Sequence, residues 1–329
     1  MNITKSNIRM LSRIGSCGTY GQAVMKLPDL DDNMVVCTAD LCFYSGLDRF
    51  KKKYPNRLYN VGIAEQNLIG IAAGLAKEGY NPFVSTYASF ASTRALDQVR
   101  TNMGYMKLPI KLFGLTSGFS VGILGATHMS IEDIAIMRAI PNITIVSPAD
   151  ALEIYKLTLA LANYDKPVYI RLTGGVGMPI VYDEDYNFKI GKSNILKEGE
   201  DIVIVASGTI VHTCIQVAEE LENIGISAMV VNMHTIKPLD VELLERVMEY
   251  KLMVTVEEHS KIGGLGSSIA EYIVEKKYKP LLLKIGIDDN FYQAASYNYL
   301  IEESGLTKEK IYNKIIKFIG DCKMKLDIN

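Results

Sequence analysis

Short apolar runs rich in β-branched residues alternate with longer segments of helical periodicity over most of the chain. In the segment after Glu65, one face of a predicted helix carries Leu68, Ile71, Ala72 and Leu75. The first half is predicted to contain strands at residues 34–38, 57–60, 82–86, 110–116, 143–147 and 168–172, with helices at 64–77, 90–105, 131–139 and 151–163. Such alternation is typical of a parallel sheet covered by helices on both faces.

The alternation pauses between residues 174 and 201, a stretch that opens with glycines at 174, 175 and 177 and then carries the acidic run 183–185. This composition predicts a linker at 179–200 between a first domain at 1–178 and a second at 201–329. The second domain is predicted to contain strands at 202–206, 228–232, 252–256 and 281–285, and helices at 211–223, 241–250, after Gly266 and at 308–319. The predicted fold class is therefore α/β, with two doubly wound domains, the second being the smaller.

The composition is typical of a globular protein and argues against some classes of partner. The chain has 329 residues, of which 48% are hydrophobic and 22% charged. A net charge of −2 gives no basic surface for nucleic acid, and no apolar run approaches the roughly 18 residues that a membrane span needs. The start of the chain lacks the pattern of a secretory signal. Five scattered cysteines without zinc-type spacing indicate reduced thiols, so we expect a cytoplasmic protein. From the charge and the apolar runs we expect no nucleic-acid and no membrane partner.

Three segments combine a predicted strand end with polar residues, as ligand sites in parallel sheets do. In residues 61–67, Glu65 enters the first turn of a helix, where the helix dipole favours a carboxylate, although a plain helix start fits as well. Residues 121–128 form a glycine-rich loop whose N–H groups could hold an anion, and His128 there is either catalytic or structural. The glycines at 263–266 favour a tight turn over a dinucleotide site. The residues by themselves therefore predict an α/β enzyme subunit, but they do not specify its reaction.

Several of these strings, taken in order along the chain, resemble the transketolase family. They lie at 38–41, 61–67, 86–90, 125–128, 138–141 with 148–150, 237–240, and 256–259 with 263–266. The likeness covers nearly the whole chain and follows the family order, a pyrimidine-binding domain followed by a transketolase C-terminal domain. The resemblance implies a transferase that uses thiamine diphosphate and Mg²⁺ to move a two-carbon ketol unit from a keto-sugar donor to an aldehyde or keto-sugar acceptor.

The resemblance also implies roles for cofactor-binding residues. Glu65 matches the carboxylate that bonds to the pyrimidine ring nitrogen and promotes the imino form, in which the cofactor's own amino group deprotonates the thiazolium carbon. Tyr87 matches an aromatic ring that stacks on the pyrimidine, usually phenylalanine, and Phe90 matches a second aromatic of that pocket. Asp40 and Leu41 match a strand end near the cofactor, with Asp40 better suited to a structural role.

Substrate-binding residues follow in the same way. His128 matches a catalytic histidine beside the reacting carbons, and Arg171 matches an arginine that grips a sugar phosphate. The chain departs from the family where Ile123 and Leu124 replace an acidic pair whose aspartate binds a sugar hydroxyl. Leucine cannot accept that hydrogen bond, so we expect a donor other than the common pentose and hexose phosphates, such as a deoxy, amino or nucleotide-linked keto sugar.

A further departure concerns the metal. The family's Gly-Asp-Gly segment, which anchors the diphosphate through Mg²⁺, is missing from the 329 residues, and the only near match, Gly320-Asp321, lies in the wrong domain. The resemblance therefore implies that this chain supplies no metal ligand. We expect a partner subunit to bring the diphosphate and metal site, in an α2β2 heterotetramer.

Two other functions remain open at this point. The β subunit of a 2-oxoacid dehydrogenase has the same two domains and a similar length, although the strings at 64–67 and 125–128 favour transketolase. A non-catalytic regulatory paralogue is the second alternative, and Leu124 in place of aspartate is its best support. The presence of Glu65, Tyr87, Phe90 and His128 argues against a subunit that has lost catalysis.

Overall fold

The strands of the protein form two sheets. The computed structural model describes residues 3–323, and the six residues that follow, at the end of the second predicted domain, lie outside them. Within the described residues the strands are β1 Met34–Thr38, β2 Leu58–Asn60, β3 Asn81–Tyr87, β4 Lys111–Leu115, β5 Thr144–Val146, β6 Val168–Arg171, β7 Asn194–Lys197, β8 Ile202–Ser207, β9 Ala228–Asn232, β10 Thr235–Lys237, β11 Leu252–Ser260 and β12 Leu281–Ile287.

Helices connect these strands and cover both sheets. They are α1 Lys5–Val24, α2 Asp48–Lys53, α3 Glu65–Lys77, α4 Leu96–Gln98, α5 Asp133–Ala139, α6 Ala151–Ala160, α7 Ile210–Glu222, α8 Val241–Arg246, α9 Leu265–Val274, α10 Tyr297–Glu303 and α11 Lys308–Asp321. Two π-helical segments, Phe90–Arg94 and Val99–Tyr105, flank α4. Among residues 3–323 no helix is both long and apolar enough to cross a bilayer.

The predicted α/β fold class is confirmed, with one antiparallel edge strand in each sheet. The first sheet has seven strands in the order β10-β5-β6-β4-β3-β1-β2, and only β10 runs antiparallel to its neighbour. The second has five strands in the order β12-β11-β8-β9-β7, with β7 antiparallel to β9. Strands β1, β4, β8, β9 and β11 are buried at every position, as expected when helices cover both faces of a sheet.

Two strands modify the predicted domain division. Strand β7 lies inside the segment predicted as a linker, residues 179–200, so part of that segment belongs to the second sheet. Strand β10 follows the predicted start of the second domain, yet it pairs with β5 of the first sheet. Strand β10 lies beyond both predicted boundaries, at 178 and 201, and still forms the edge of the first sheet. The boundaries themselves stay a prediction.

Helix α1 lies outside the predicted elements. It packs against α6 and changes direction at Gly15, whose φ of 75° is left-handed. A Cβ at this position would come within 2.4 Å of the carbonyl oxygen of Gly175, so glycine is required by both the backbone conformation and the close approach. The glycines and serines that permit this contact also interrupt the apolar periodicity that would predict a helix.

Arg171 joins the two sheets from a buried position. Its side chain is 2% exposed, and its Nε donates to both carboxylate oxygens of Asp133, which is fully buried, at 3.0 Å. Its Nη2 donates to the carbonyl oxygens of Ser130, at 3.1 Å, and of Glu258 on β11, at 2.9 Å, and its Nη1 donates to Thr173 at 3.1 Å. Every guanidinium nitrogen is therefore engaged within the protein. These contacts support a structural role for Arg171, and its assignment to a sugar phosphate stays a prediction.

Replacing Arg171 by alanine should destabilise the chain by about 3–5 kcal/mol, because the substitution leaves the buried Asp133 carboxylate without its partner. The measurement is urea-induced unfolding followed by circular dichroism. Arg246→Ala is the matched control, since Arg246 forms an exposed pair with Glu198 at 3.3 Å, and its loss should cost less than about 1 kcal/mol. Equal midpoints for the two variants would contradict the structural role of Arg171.

Candidate active site

A cleft of about 690 Å³ opens where β1, β3 and β4 end. These strands are neighbours in the first sheet, and the carboxyl edge of a parallel sheet is where ligands bind in folds of this type. The lining side chains come from these strand ends, the start of α3, the helical segment after β3 and the loop 121–128: Ala39, Asp40, Leu41, Tyr44, Ile63, Glu65, Tyr87, Phe90, Arg94, Leu115, Thr116, Val121, Ile123, Leu124 and His128.

The cleft brings together most of the residues singled out in the sequence. Seven of the eight candidate site residues line it, namely Asp40, Leu41, Glu65, Tyr87, Phe90, Leu124 and His128. Only Arg171 lies apart, in the buried network between the sheets. The roles assigned to the seven stay predictions, but their convergence from four separate segments of the chain is the arrangement that those roles require.

Glu65 supplies a buried carboxylate at the cleft. It is the first residue of α3 and is only 3% exposed, so it faces the positive end of the helix dipole from inside the protein. Its Oε2 accepts a hydrogen bond from Nη1 of Arg94 at 2.8 Å. Arg94 was not singled out in the sequence. The signal that could have found it is its position four residues after Phe90 in a helical segment, which places a cation beside an aromatic wall residue.

Three rings form one wall of the cleft. The ring centroids lie 5.8 Å apart for Tyr87 and Phe90, 5.7 Å for Tyr87 and His128, and 5.2 Å for Phe90 and His128, all with edge-to-face geometry. Nδ1 of His128 lies 3.0 Å from the hydroxyl oxygen of Thr127. Partial burial raises the pKa of the Tyr87 hydroxyl, so this ring stays neutral near neutral pH. The wall offers flat apolar surface with one imidazole at its edge.

The backbone is strained at two points beside the cleft. Asp40 has a φ of 59° and Thr116 a φ of 52°, values that non-glycine residues rarely adopt, and a β-branched threonine least of all. Asp40 is held in place by Asn60: the Asp40 N–H donates to Oδ1 of Asn60 at 2.9 Å, and Nδ2 of Asn60 donates to Oδ1 of Asp40 at 3.0 Å. The second bond engages the Asp40 carboxylate through Oδ1, which suits a structural role for Asp40.

Large apolar side chains face solvent around the mouth of the cleft. Ile63 and Ile123 are each 77% exposed, and Leu124 is 48% exposed. Phe43 and Tyr44 lie in the turn after β1 and are 75% and 63% exposed. A cluster of this kind marks a surface that another protein or a ligand covers.

The residues of the cleft fit the aromatic end of a cofactor rather than its diphosphate. A carboxylate beside two aromatic rings suits a flat heterocycle with a ring nitrogen. The lining residues include only two basic side chains, Arg94, which is paired with Glu65, and His128. Within residues 3–323 no three His, Cys, Asp or Glu side chains converge as they would around a metal ion.

Comparison with known proteins identifies the family. The family model for the transketolase pyrimidine-binding domain matches residues 16–176, and the model for the transketolase C-terminal domain matches residues 191–311. A 6-deoxy-6-sulfo-D-fructose transketolase subunit from Clostridium sp. (strain MSTE9) is 40% identical over 294 residues, which are 89% of this chain and 91% of the relative. The chain belongs to the transketolase family.

Two further transketolase proteins extend the comparison. A subunit of an apulose-4-phosphate transketolase from Phocaeicola vulgatus is 36% identical over 304 residues, 92% of this chain and 96% of the relative. A solved structure described as a split-gene transketolase in an inactive β4 tetramer aligns with a TM-score of 0.83 and 39% identity, covering 92% of this chain and 97% of that one. These transketolase relatives thus match the present chain along almost their full lengths.

Proposed function

We propose that this chain is the β-type subunit of a split, thiamine diphosphate-dependent transketolase-like enzyme. It transfers a two-carbon ketol unit between sugars or sugar derivatives and acts only with a partner subunit that holds the diphosphate and Mg²⁺. The observation that carries this proposal is the composition of the cleft. Glu65, the aromatic wall and His128 suit one end of the cofactor, while the described lining has no unpaired arginine or lysine and no cluster of metal ligands for its other end.

Glu65 has the central role in the proposed mechanism. When bound, thiamine diphosphate would supply a nucleophilic carbon for transfer of the two-carbon unit. Glu65 would hydrogen-bond to the pyrimidine ring nitrogen, and its burial would strengthen this bond because little water competes for the carboxylate. Tyr87 and Phe90 would pack against the pyrimidine ring and help hold it in the cleft. His128, at the edge of the same wall, donates a hydrogen bond to the oxygen of the sugar that gains charge.

A partner subunit covers the apolar mouth of the cleft. Ile63, at 77% exposed, lies just before α3, and on α3 itself Gly70 and Gly74 face solvent with no atom within 4 Å of an added Cβ. An exposed helix face without side chains allows close approach of another helix. The split-gene relative was solved as an inactive β4 tetramer, and an assembly of β subunits alone that lacks activity supports a second type of subunit for the present chain. For the present chain we propose an α2β2 assembly.

The donor is a modified keto sugar rather than a common ketose phosphate. Ile123 and Leu124 place hydrocarbon where transketolases carry an acidic pair, so a sugar hydroxyl there would lose its acceptor at a cost of about 1–3 kcal/mol. The sugars named for two relatives, 6-deoxy-6-sulfo-D-fructose and apulose 4-phosphate, lie outside the common ketose phosphates, which supports a modified donor here.

The first test compares the chain alone with the chain co-expressed with a candidate Gly-Asp-Gly subunit. We expect thiamine diphosphate-dependent consumption of a keto sugar only in the pair, measured against a panel of keto-sugar donors and 2-oxoacids.

Glu65→Gln should lower kcat by about 10²-fold or more, because glutamine cannot carry the shared proton. Glu78→Gln, at the exposed end of the same helix, is the control and should keep full activity.

Each contrary result has a defined meaning. Activity of the chain alone would contradict the need for a partner. Full activity of the Glu65→Gln pair would contradict the role of the carboxylate. Absence of turnover in every pairing, despite assembly with the partner, would indicate a non-catalytic paralogue. Oxidative decarboxylation of 2-oxoacids in place of ketol transfer would indicate a dehydrogenase β subunit.

Ile63→Asp should weaken association with the partner by about 10-fold or more, because it places a charge in the proposed interface. The measurement is the Kd of the pair by analytical ultracentrifugation. The thermal unfolding midpoint of the isolated chain should not change, since Ile63 is exposed there. Val274→Asp is the control: Val274 is 63% exposed at the end of α9 and should tolerate the charge without loss of affinity. Equal affinities for the two variants would place the interface elsewhere.

Leu124→Asp should shift specificity towards ordinary ketose phosphates by restoring an acceptor for the sugar hydroxyl. We expect kcat/KM for xylulose 5-phosphate to rise by about 10-fold relative to the parent pair. The same substitution should lower kcat/KM for the natural donor. No gain on xylulose 5-phosphate would contradict the proposed basis of specificity.

A further inference from the structure

Arg94 contacts both the buried acid and the aromatic wall of the cleft. Its Nη1 lies 2.8 Å from Oε2 of Glu65, and the carbon of its guanidinium lies 4.1 Å from the ring centroid of Phe90. The Arg94 side chain is 47% exposed, whereas Glu65 is 3% exposed. One guanidinium therefore links two residues proposed to touch the cofactor, and it reaches them from the solvent side.

The bond to Glu65 uses only one of the two carboxylate oxygens. Within residues 3–323 Oε1 of Glu65 has no ion-pair partner, while Oε2 is held by Arg94. A carboxylate anchored through one oxygen can present the other to a hydrogen-bonding partner in a fixed direction. The arrangement is similar to the support that outer residues give to catalytic acids, where a second hydrogen bond fixes the orientation of the reacting group.

The shape of the guanidinium suits this double task. It is planar, so it can stack on Phe90 with its face while it donates to Glu65 from its edge. Phe90 and Arg94 are the first and last residues of a π-helical segment, a deviation that frequently occurs at functional sites. A lysine could match the charge but not the stacking.

We propose that Arg94 is a positioning residue that orients the Glu65 carboxylate towards the cofactor ring. This inference rests on the proposed function, since it assigns the ring nitrogen of the cofactor to Oε1 of Glu65. Arg94 neither gives nor takes a proton: its Nη1 donates to Oε2 of Glu65, so Oε1 would be the oxygen left to bond to a bound pyrimidine ring.

The test is a double-mutant cycle on cofactor affinity in the complex with the candidate partner subunit. Arg94→Met should raise the Kd for thiamine diphosphate by about 10-fold, since it removes a charge-assisted bond that orients Glu65. In a Glu65→Gln background the same change should have no further effect, because Arg94 acts through Glu65. Arg94→Lys should recover part of the loss. Arg100→Met, in the next π-helical segment and outside the cleft, is the matched control and should bind normally.

The same cycle in the isolated chain needs no cofactor. Arg94→Met should lower the thermal unfolding midpoint by about 2–4 °C, because it leaves a buried carboxylate without its partner, and adding Glu65→Gln should restore most of that loss. If the parent pair fails to bind thiamine diphosphate, the proposed function fails, and the unfolding cycle still decides whether Arg94 supports Glu65. Additive effects of the two substitutions in either measurement would overturn the inference.

Discussion

Burial of the Glu65 carboxylate is the constraint on which the rest of the cleft depends. A carboxylate that is 3% exposed loses most of its hydration, which costs several kcal/mol unless charge and hydrogen bonds compensate. The compensation comes from two local features, the amino end of α3 and the Arg94 guanidinium. Because Arg94 also stacks on Phe90, the position of the acid and the position of the aromatic wall are set together. A change in either would disturb both.

The sheet explains why such an arrangement can be held. Strands β1, β3 and β4 are adjacent and end at the same edge, so Asp40, Tyr87 and Thr116 leave the sheet side by side. The left-handed backbone at Asp40 and Thr116 costs on the order of 1–3 kcal/mol each. Such strain persists only where the surrounding structure supports it, and here the Asn60 bonds and two buried strands provide that support.

Sequence reasoning succeeded where the signal is local and failed where it depends on distant residues. Strand β1 was predicted at its observed bounds, and Glu65 and His128, which lie in recognisable strings, do meet in one cleft. The local pattern does not predict that β10 pairs with β5 or that β7 pairs with β9, because the partner strands lie far away in the sequence. Arg171 was assigned to the cleft by resemblance, but its environment is set by Asp133 and the backbone of β11, which no single motif encodes. No local pattern indicates Arg94, because its contact with Glu65 joins residues that are 29 positions apart in the sequence.

Two proposed contacts, one with the partner subunit and one with the sugar, involve different exposed side chains at the mouth of the cleft. Ile123 is 77% exposed, so most of its surface is open to contact with a partner subunit. Leu124 is 48% exposed and also lines the cleft, where we propose that it contacts the sugar. A charge introduced at Leu124 changes the polarity of the substrate pocket and also adds desolvation cost when the partner binds. If both proposed contacts exist, specificity and subunit affinity at this loop are coupled, so specificity must be measured at a partner concentration that saturates the pair.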